Sequence, residues 1–221
     1  MTVFEEQSAG EKAPEAGAEP KRRSLRSFVA ARATRLQEAY REDNATAVAQ
    51  LAKLRRGVNQ SLGADLELVG LTTVGLYPDD VHLRDEPTNE EQAAYAAITL
   101  FALHQQGKRG LRMHQNGYSF GRSARLLGRK AGSRDAVRRR FNAMGTAITW
   151  AETLHHARGL IQQFRAHDIP LDYGRFAADL YRLHRPDLAN AVRNAWGRDF
   201  YRTDQEDTAG EFPASDKQGT D

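Results

Sequence analysis

Between residues 24 and 201 the apolar side chains recur at intervals of three and four and almost nowhere alternate with polar ones. Such a chain buries helical stripes, not strand faces. Ala and Arg dominate the region and β-branched runs are scarce, which favours the same state. Leu25, Phe28, Val29, Leu36, Ala39 and Tyr40 place one stripe on a helix from about Ser24 to Glu42. Val48, Leu51 and Leu54 mark a short second helix ending at Gly57, and the apolar stretch from Asp65 to Leu76 is stopped by Pro78. Thr88-Asn89-Glu90-Glu91 reads as a capping box, in which hydroxyl and carboxylate satisfy free backbone donors at a helix start. Tyr95, Ile98, Phe101 and Ala102 form the buried face of the helix that follows, and Gly107 ends it.

Beyond that point, glycines at 110, 117, 121, 128 and 132 keep the helices short. Phe120, Ala124 and Leu127 suit one, and Ser133 can cap another that carries Val137, Phe141 and Met144. A longer helix is expected from about Ala147 to Ala166, with Ile148, Leu154, Ile161 and Phe164 inside. Ile169-Pro170 breaks the chain, Asp172 is placed to cap a helix bearing Phe176, Leu180 and Leu183, and Pro186 opens the last helix as a first-turn proline. The fold class is all-α: two small helical bundles, an N-terminal lobe over 21–109 and a C-terminal lobe over 110–203. Residues 1–20 and 204–221 lack apolar periodicity and are expected to be disordered tails.

The formal net charge of +3 conceals an uneven distribution. The first tail carries −4 and the last −5, so the body between them carries +12. A strongly basic body favours polyanionic partners. Cysteine is absent, which excludes disulfides, thiolate metal sites and cysteine nucleophiles. No apolar run approaches the roughly 20 residues of a membrane span, and the acidic first 20 residues have no apolar segment of the signal-peptide kind. The expectation is a soluble, cytoplasmic protein with no membrane partner.

Most of the excess charge is concentrated. Within Lys108–Arg140 stand Lys108, Arg109, Arg112, Arg122, Arg125, Arg129, Lys130, Arg134, Arg138, Arg139 and Arg140, opposed only by Asp135, for +10 in 33 residues. An arginine-rich coding composition accounts for part of this, but not for a single acid in that stretch. On a helix, positions 122, 125 and 129 share a face, so three guanidinium groups can line up. A phosphate backbone neutralises such a row and releases counterions, giving sequence-independent, salt-sensitive affinity. Arg55 and Arg56, at the end of the second helix, are weaker candidates.

Catalytic constellations are thin. Gly107-Lys108-Arg109-Gly110 lacks the Ser or Thr of a phosphate-binding loop and follows no strand. Gly117-Tyr118-Ser119-Phe120-Gly121 has the spacing of a nucleophile elbow without the strand-turn-helix context it needs. Adjacent His155 and His156 diverge by about 100° on a helix and cannot chelate one metal together. Capping or surface roles suit His104, His114, His167 and His184, and Asp79-Asp80 and Asp85-Glu86 lack a third ligand. A binding module without cofactor or metal is expected, not an enzyme.

Several strings, in order, resemble the small subunit of the type I-E CRISPR surveillance complex, Cascade, a family often called CasB. They are Leu51-Ala-Lys-Leu54-Arg55-Arg56-Gly57, Gly117-Tyr-Ser-Phe-Gly121-Arg122-Ser-Ala-Arg-Leu126, Val137-Arg138-Arg139-Arg140-Phe141 and Ile169-Pro170-Leu171-Asp172-Tyr173. Together they span about residues 25–202 and leave the acidic tails outside. The resemblance implies a non-enzymatic, two-lobed helical subunit in antiviral defence, present as a pair of copies beside the subunits that hold the guide RNA. Its partners would be guide RNA, target DNA with the displaced strand, other Cascade subunits and a second copy of itself. Its basic surface would help stabilise the R-loop, with Arg122 and Arg138–Arg140 foremost because they fall in the matching strings. Two other readings stand beside it. A helical transcription regulator would use Arg134–Phe141 as a recognition helix, and a nuclease would need a carboxylate or histidine metal cluster.

Overall fold

The computed structural model describes residues 24–78 and 85–202. The described helices are α1 (Leu25–Arg41), α2 (Ala45–Gly57), α3 (Leu66–Thr72), α4 (Asn89–Gln105), α5 (Phe120–Lys130), α6 (Arg134–Thr146), α7 (Trp150–Ala166), α8 (Tyr173–Leu183) and α9 (Pro186–Tyr201). An isolated parallel bridge between His114 and Leu171 is the extended pairing among them. The all-α reading holds; the two tails and Asp79-Asp80 lie outside the described residues.

Most helix starts are specified by a side chain. Ser24, Asn44, Asp65, Thr88, Ser119, Thr149 and Asp172 each accept a hydrogen bond from a backbone N–H of the first turn; such caps are each worth about 1 kcal/mol. Thr88 with Glu91, and Thr149 with Glu152, complete reciprocal capping boxes. The second box moves the start of α7 to Trp150 and leaves Ile148 ahead of the cap. That residue is therefore 89% exposed, not inside the helix as its spacing suggests. Ser133 occupies the N-cap position of α6 but makes no capping hydrogen bond.

Helix α4 departs from expectation in a way that organises the fold. Its spacing predicts one buried face, yet every residue from Ala93 to Ala102 is buried. A helix apolar on all sides belongs inside a bundle, and α1, α2, α3, α7 and α8 surround it. Its alanines at 93, 94, 96, 97 and 102 keep its girth small, so neighbouring helices approach closely. A second centre is the ring of Phe120 on α5, with centroids of Trp196, Phe176, Phe164 and Phe141 at 4.8, 5.2, 5.6 and 6.1 Å. These rings tie α5 to α6, α7, α8 and α9. Both centres belong to one buried apolar cluster that runs from Leu25 to Phe200, so packing crosses the lobe boundary expected near residue 110.

The long connection between α4 and α5 is held by buried amides. Gln105 donates to the Lys108 and Leu111 carbonyls at 2.6 and 3.0 Å and accepts from Met113 N–H at 3.2 Å. Gln37 on α1 accepts from His114 N–H at 2.7 Å and donates to its carbonyl at 3.2 Å. Two side chains thus satisfy backbone groups that would otherwise be buried unpaired, at a cost of about 1–3 kcal/mol each. His104 and His114 are buried here too, not placed at caps or on the surface. The Tyr173 hydroxyl sits 3.0 Å from His104 Nδ1, and Tyr173 N–H donates to His114 Nδ1 at 3.1 Å. Burial holds His104 neutral, with a pKa lowered to about 3. His167 and His184 are C-caps of α7 and α8, as expected.

Where α8 crosses α1, Gly174 lies against the backbone: a Cβ there would stand 2.5 Å from the Arg26 carbonyl oxygen and 2.8 Å from Ala30 Cβ. Gly174→Ala should therefore separate the two helices and destabilise the protein by about 1–3 kcal/mol. Urea denaturation measures this; unchanged stability would show that the crossing tolerates the methyl group.

Candidate nucleic-acid interface

Helix α5 presents its basic residues unequally. Phe120, Ala124 and Leu127 face the core, and Gly121 allows α9 to lie against it, since a Cβ there would collide with the Trp196 carbonyl. Arg125 follows the buried side and is only 5% exposed. Its Nη1 donates to the Arg202 carbonyl at 3.4 Å, the place where a cation complements the carbonyl end of α9. The expected row of three aligned guanidinium groups at 122, 125 and 129 is thus corrected: Arg125 is turned inward because the close α5–α9 contact covers it. Arg122 is half-buried, its guanidinium carbon 4.3 Å from the centre of the Tyr118 ring. Arg129 and Lys130, in the last turn, are exposed, and Lys130 donates to the His167 carbonyl at 3.0 Å.

After the turn at 131–133 the charge continues along α6. Arg134, Arg138, Arg139 and Arg140 are all exposed, while Val137, Phe141 and Met144 anchor the opposite side of the helix. Arg138 pairs with Asp135 at 3.2 Å, and Arg140 donates to Gln163 Oε1 on α7 at 3.3 Å. Arg129 and Lys130 end α5, and Arg134, Arg138, Arg139 and Arg140 follow on α6, all six exposed; we call this basic α5–α6 segment the ridge.

Lys108, Arg109 and Arg112 each have an acidic partner. Lys108 pairs with Asp168, and Arg109 pairs with Asp43 at 2.7 Å while covering the Tyr40 ring. Arg112 grips Glu38 through two hydrogen bonds of 2.9 and 3.0 Å. These three fasten the α4–α5 connection to α1 and its neighbours. Arg55 and Arg56 close α2, and the Tyr40 ring that Arg109 covers also lies near Arg55. Arg56 is exposed, whereas Arg55 is half-buried, its pKa lowered first by burial and then by the nearby charges of Arg165 and Arg56. Arg165 joins this second basic group although it lies far away in sequence and outside the dense stretch, so no local pattern marks it. Tyr118, the platform under Arg122, stands only four residues before it, within the string Gly117–Leu126.

Ser119 is the N-cap of α5, and its hydroxyl donates to Asp199, which also accepts from Arg175 at 3.1 Å. The elbow-like spacing around it therefore serves a helix start. Among the described residues no group of three or more His, Asp or Glu could hold a metal ion, and no helix is long and apolar enough to cross a membrane.

The fold and this surface define an all-helical protein with a cationic ridge on a side-chain-capped frame. The sequence model for the CRISPR-associated protein Cse2 matches residues 50–201. The chain belongs to the Cse2 family of CRISPR-associated proteins. Its structure is similar to CasB from Thermobifida fusca, with 36% identity over 80% of this chain and 98% of that one, at a TM-score of 0.70. A Cse2-family CRISPR-associated protein from Thermus thermophilus shares the fold at 22% identity, 81% and 99% coverage and a TM-score of 0.61. CasB from M. ruber does so at 20% identity, 86% and 99% coverage and 0.59. No curated protein matches the chain.

The Glu38–Arg112 pair has a pH signature. Hydrogen bonding from Arg112, with help from Gln37 and Arg41, holds the Glu38 pKa down at about 2. A carboxylate whose folded pKa lies below its ordinary value of 4.5 contributes stability above that value and loses it as pH falls toward 2. Glu38→Gln should therefore melt below the parent protein at neutral pH, with the gap narrowing between pH 4.5 and 2. Thermal melts across that range check it, and a pH-independent gap would assign the effect to packing.

Proposed function

We propose that this chain is a non-catalytic small subunit of a type I-E CRISPR Cascade complex, acting in the cytoplasm, that holds nucleic acid on the α5–α6 ridge and prolongs the open R-loop. The observation that carries this reading is the ridge itself: Arg129, Lys130, Arg134, Arg138, Arg139 and Arg140 are exposed on two consecutive helices, with Asp135 as the carboxylate among them. Like charges so close repel one another, and a phosphate backbone relieves that repulsion while releasing counterions. Family membership supports an assembly whose partners are other Cascade subunits, a second copy of this chain, guide RNA and target DNA with its displaced strand.

In RNA-guided complexes base pairing reads the sequence, and protein subunits hold backbones. Opening the duplex is nearly balanced in energy, so a few charge-assisted contacts decide how long it stays open. Exposed guanidinium groups on a helix anchored by Val137, Phe141 and Met144 supply such contacts without reading bases. Arg122, in the best-matching string, reaches the same function with its guanidinium already stacked on Tyr118. Lys108, Arg109 and Arg112 contribute by fixing the connection that leads into α5.

Because the α6 arginines are exposed, replacing Arg134, Arg138 and Arg139 together by Ala should leave the fold intact. In the assembled complex the R-loop lifetime should shorten, and the slope of log affinity against log salt should flatten by about 0.9 for each phosphate no longer neutralised. Stopped-flow dissociation at several salt concentrations measures both; an unchanged lifetime and slope would reject the ridge. Tight, sequence-selective footprints from the isolated chain would instead favour a transcription regulator.

A further inference from the structure

A cavity of about 530 Å³ opens on the surface formed by the loop after α2, the middle of α4 and the first turns of α7. None of the ridge residues line it. Its volume falls in the range of small-molecule and nucleotide sites, and its lining divides by chemistry. The floor is α4, where Ala96 leaves room and Tyr95 and Thr99 have their hydroxyls occupied. Tyr95 donates to the Gly57 carbonyl at 2.9 Å and Thr99 to the Tyr95 carbonyl at 2.8 Å, so the floor offers mainly apolar surface. Trp150 and Leu154 on α7 form one wall. The Trp150 indole is braced by the His184 ring, edge to face, with centroids 4.7 Å apart.

Around this apolar interior stand groups that both donate and accept: the side-chain amides of Asn59, Gln60 and Gln92 and the hydroxyl of Ser61. Arg158 and His155 also line the cavity, and no carboxylate is among its described lining residues. Arg158 reaches across to the Asn59 side-chain oxygen, which fixes a guanidinium at the rim. Arg55 and Arg56 directly precede the loop that forms the outer wall.

An apolar floor beside an indole, edged by amides and by one guanidinium, with no carboxylate among the described lining residues, matches one nucleotide: base inside, phosphate at the guanidinium. We infer that this cavity takes a single unstacked base of a single-stranded nucleic acid, an inference that rests on the nucleic-acid reading above but concerns a separate surface. Unpaired bases can swing out to stack on aromatic side chains, and stacking tolerates any base because each has a π-face. A paired base in a duplex cannot enter. The site would therefore select displaced or unpaired strand over duplex, a distinction that the phosphate contacts of the ridge do not make.

The two tryptophans make the test direct. Trp196 is fully buried and Trp150 lines the cavity, so fluorescence quenching by a ligand reports Trp150. The full chain is titrated at low salt with a short single-stranded DNA oligonucleotide and with an abasic oligonucleotide of equal length and charge. The base-bearing strand should quench and bind about tenfold more tightly than the abasic one. Ala151→Leu, an exposed substitution at the cavity mouth, should abolish the quenching and bring both strands to the affinity of the abasic one. Equal binding of the two strands without quenching would overturn the base site and leave the ridge standing. Failure of both strands to bind would remove the nucleic-acid reading and this site with it. Quenching by sibling subunits free of nucleic acid, and not by the oligonucleotide, would assign the cavity to a protein side chain and overturn it.

Discussion

Burial of the α4 stretch from Ala93 to Ala102 on every side is the constraint on which the rest of the structure depends. A stretch with no solvent face must be enclosed, and the enclosing helices come from both halves of the chain: α1, α2 and α3 before it, α7 and α8 after it. Five alanines in its buried stretch let those helices approach closely, where dispersion contacts accumulate. Gly174 serves the same economy where α8 crosses α1. The bundle therefore closes as one core, and the α4–α5 connection has to run along its edge. Gln37 and Gln105 make that route tolerable by satisfying its backbone groups.

From that enclosure the ridge follows. Phe120 locks the start of α5 among rings from four other helices, and Gly121 draws α9 onto it. The remaining surface of α5 and the outer side of α6 are what the core does not need, and there the arginines collect. The same packing that exposes Arg134 and Arg139 covers Arg125, which is used to close the end of α9. Charge density in the sequence is thus sorted by the core into two roles: Arg109, Arg112 and Arg125 fasten the frame, and the α6 arginines face outward.

Much of this is legible in the sequence because it is local. Ser24, Thr88, Ser119, Asp172 and Pro186 signal helix starts through side chains that act within one turn, and the helices begin where those residues stand. What escapes is non-local or competes with a stronger local signal. The Thr149–Glu152 box overrides the apolar spacing that draws Ile148 into α7. Spacing suggests one buried face on α4, because alanine is neutral in such patterns while close packing prizes its small size. Arg125 looks like its neighbours in sequence, and only the approach of α9 sets it apart. Arg165 and the cavity beside Trp150 depend on residues brought together across the fold, and no window of sequence contains them.

The central claim is that the outer side of α6 meets nucleic acid inside the CRISPR-associated assembly. The most direct measurement places a photoactivatable cross-linking residue at position 139 and irradiates the assembled complex bound to labelled target DNA. Capture of DNA or guide RNA at that position is the expected result. Capture of protein alone, with no nucleic acid attached, would contradict it.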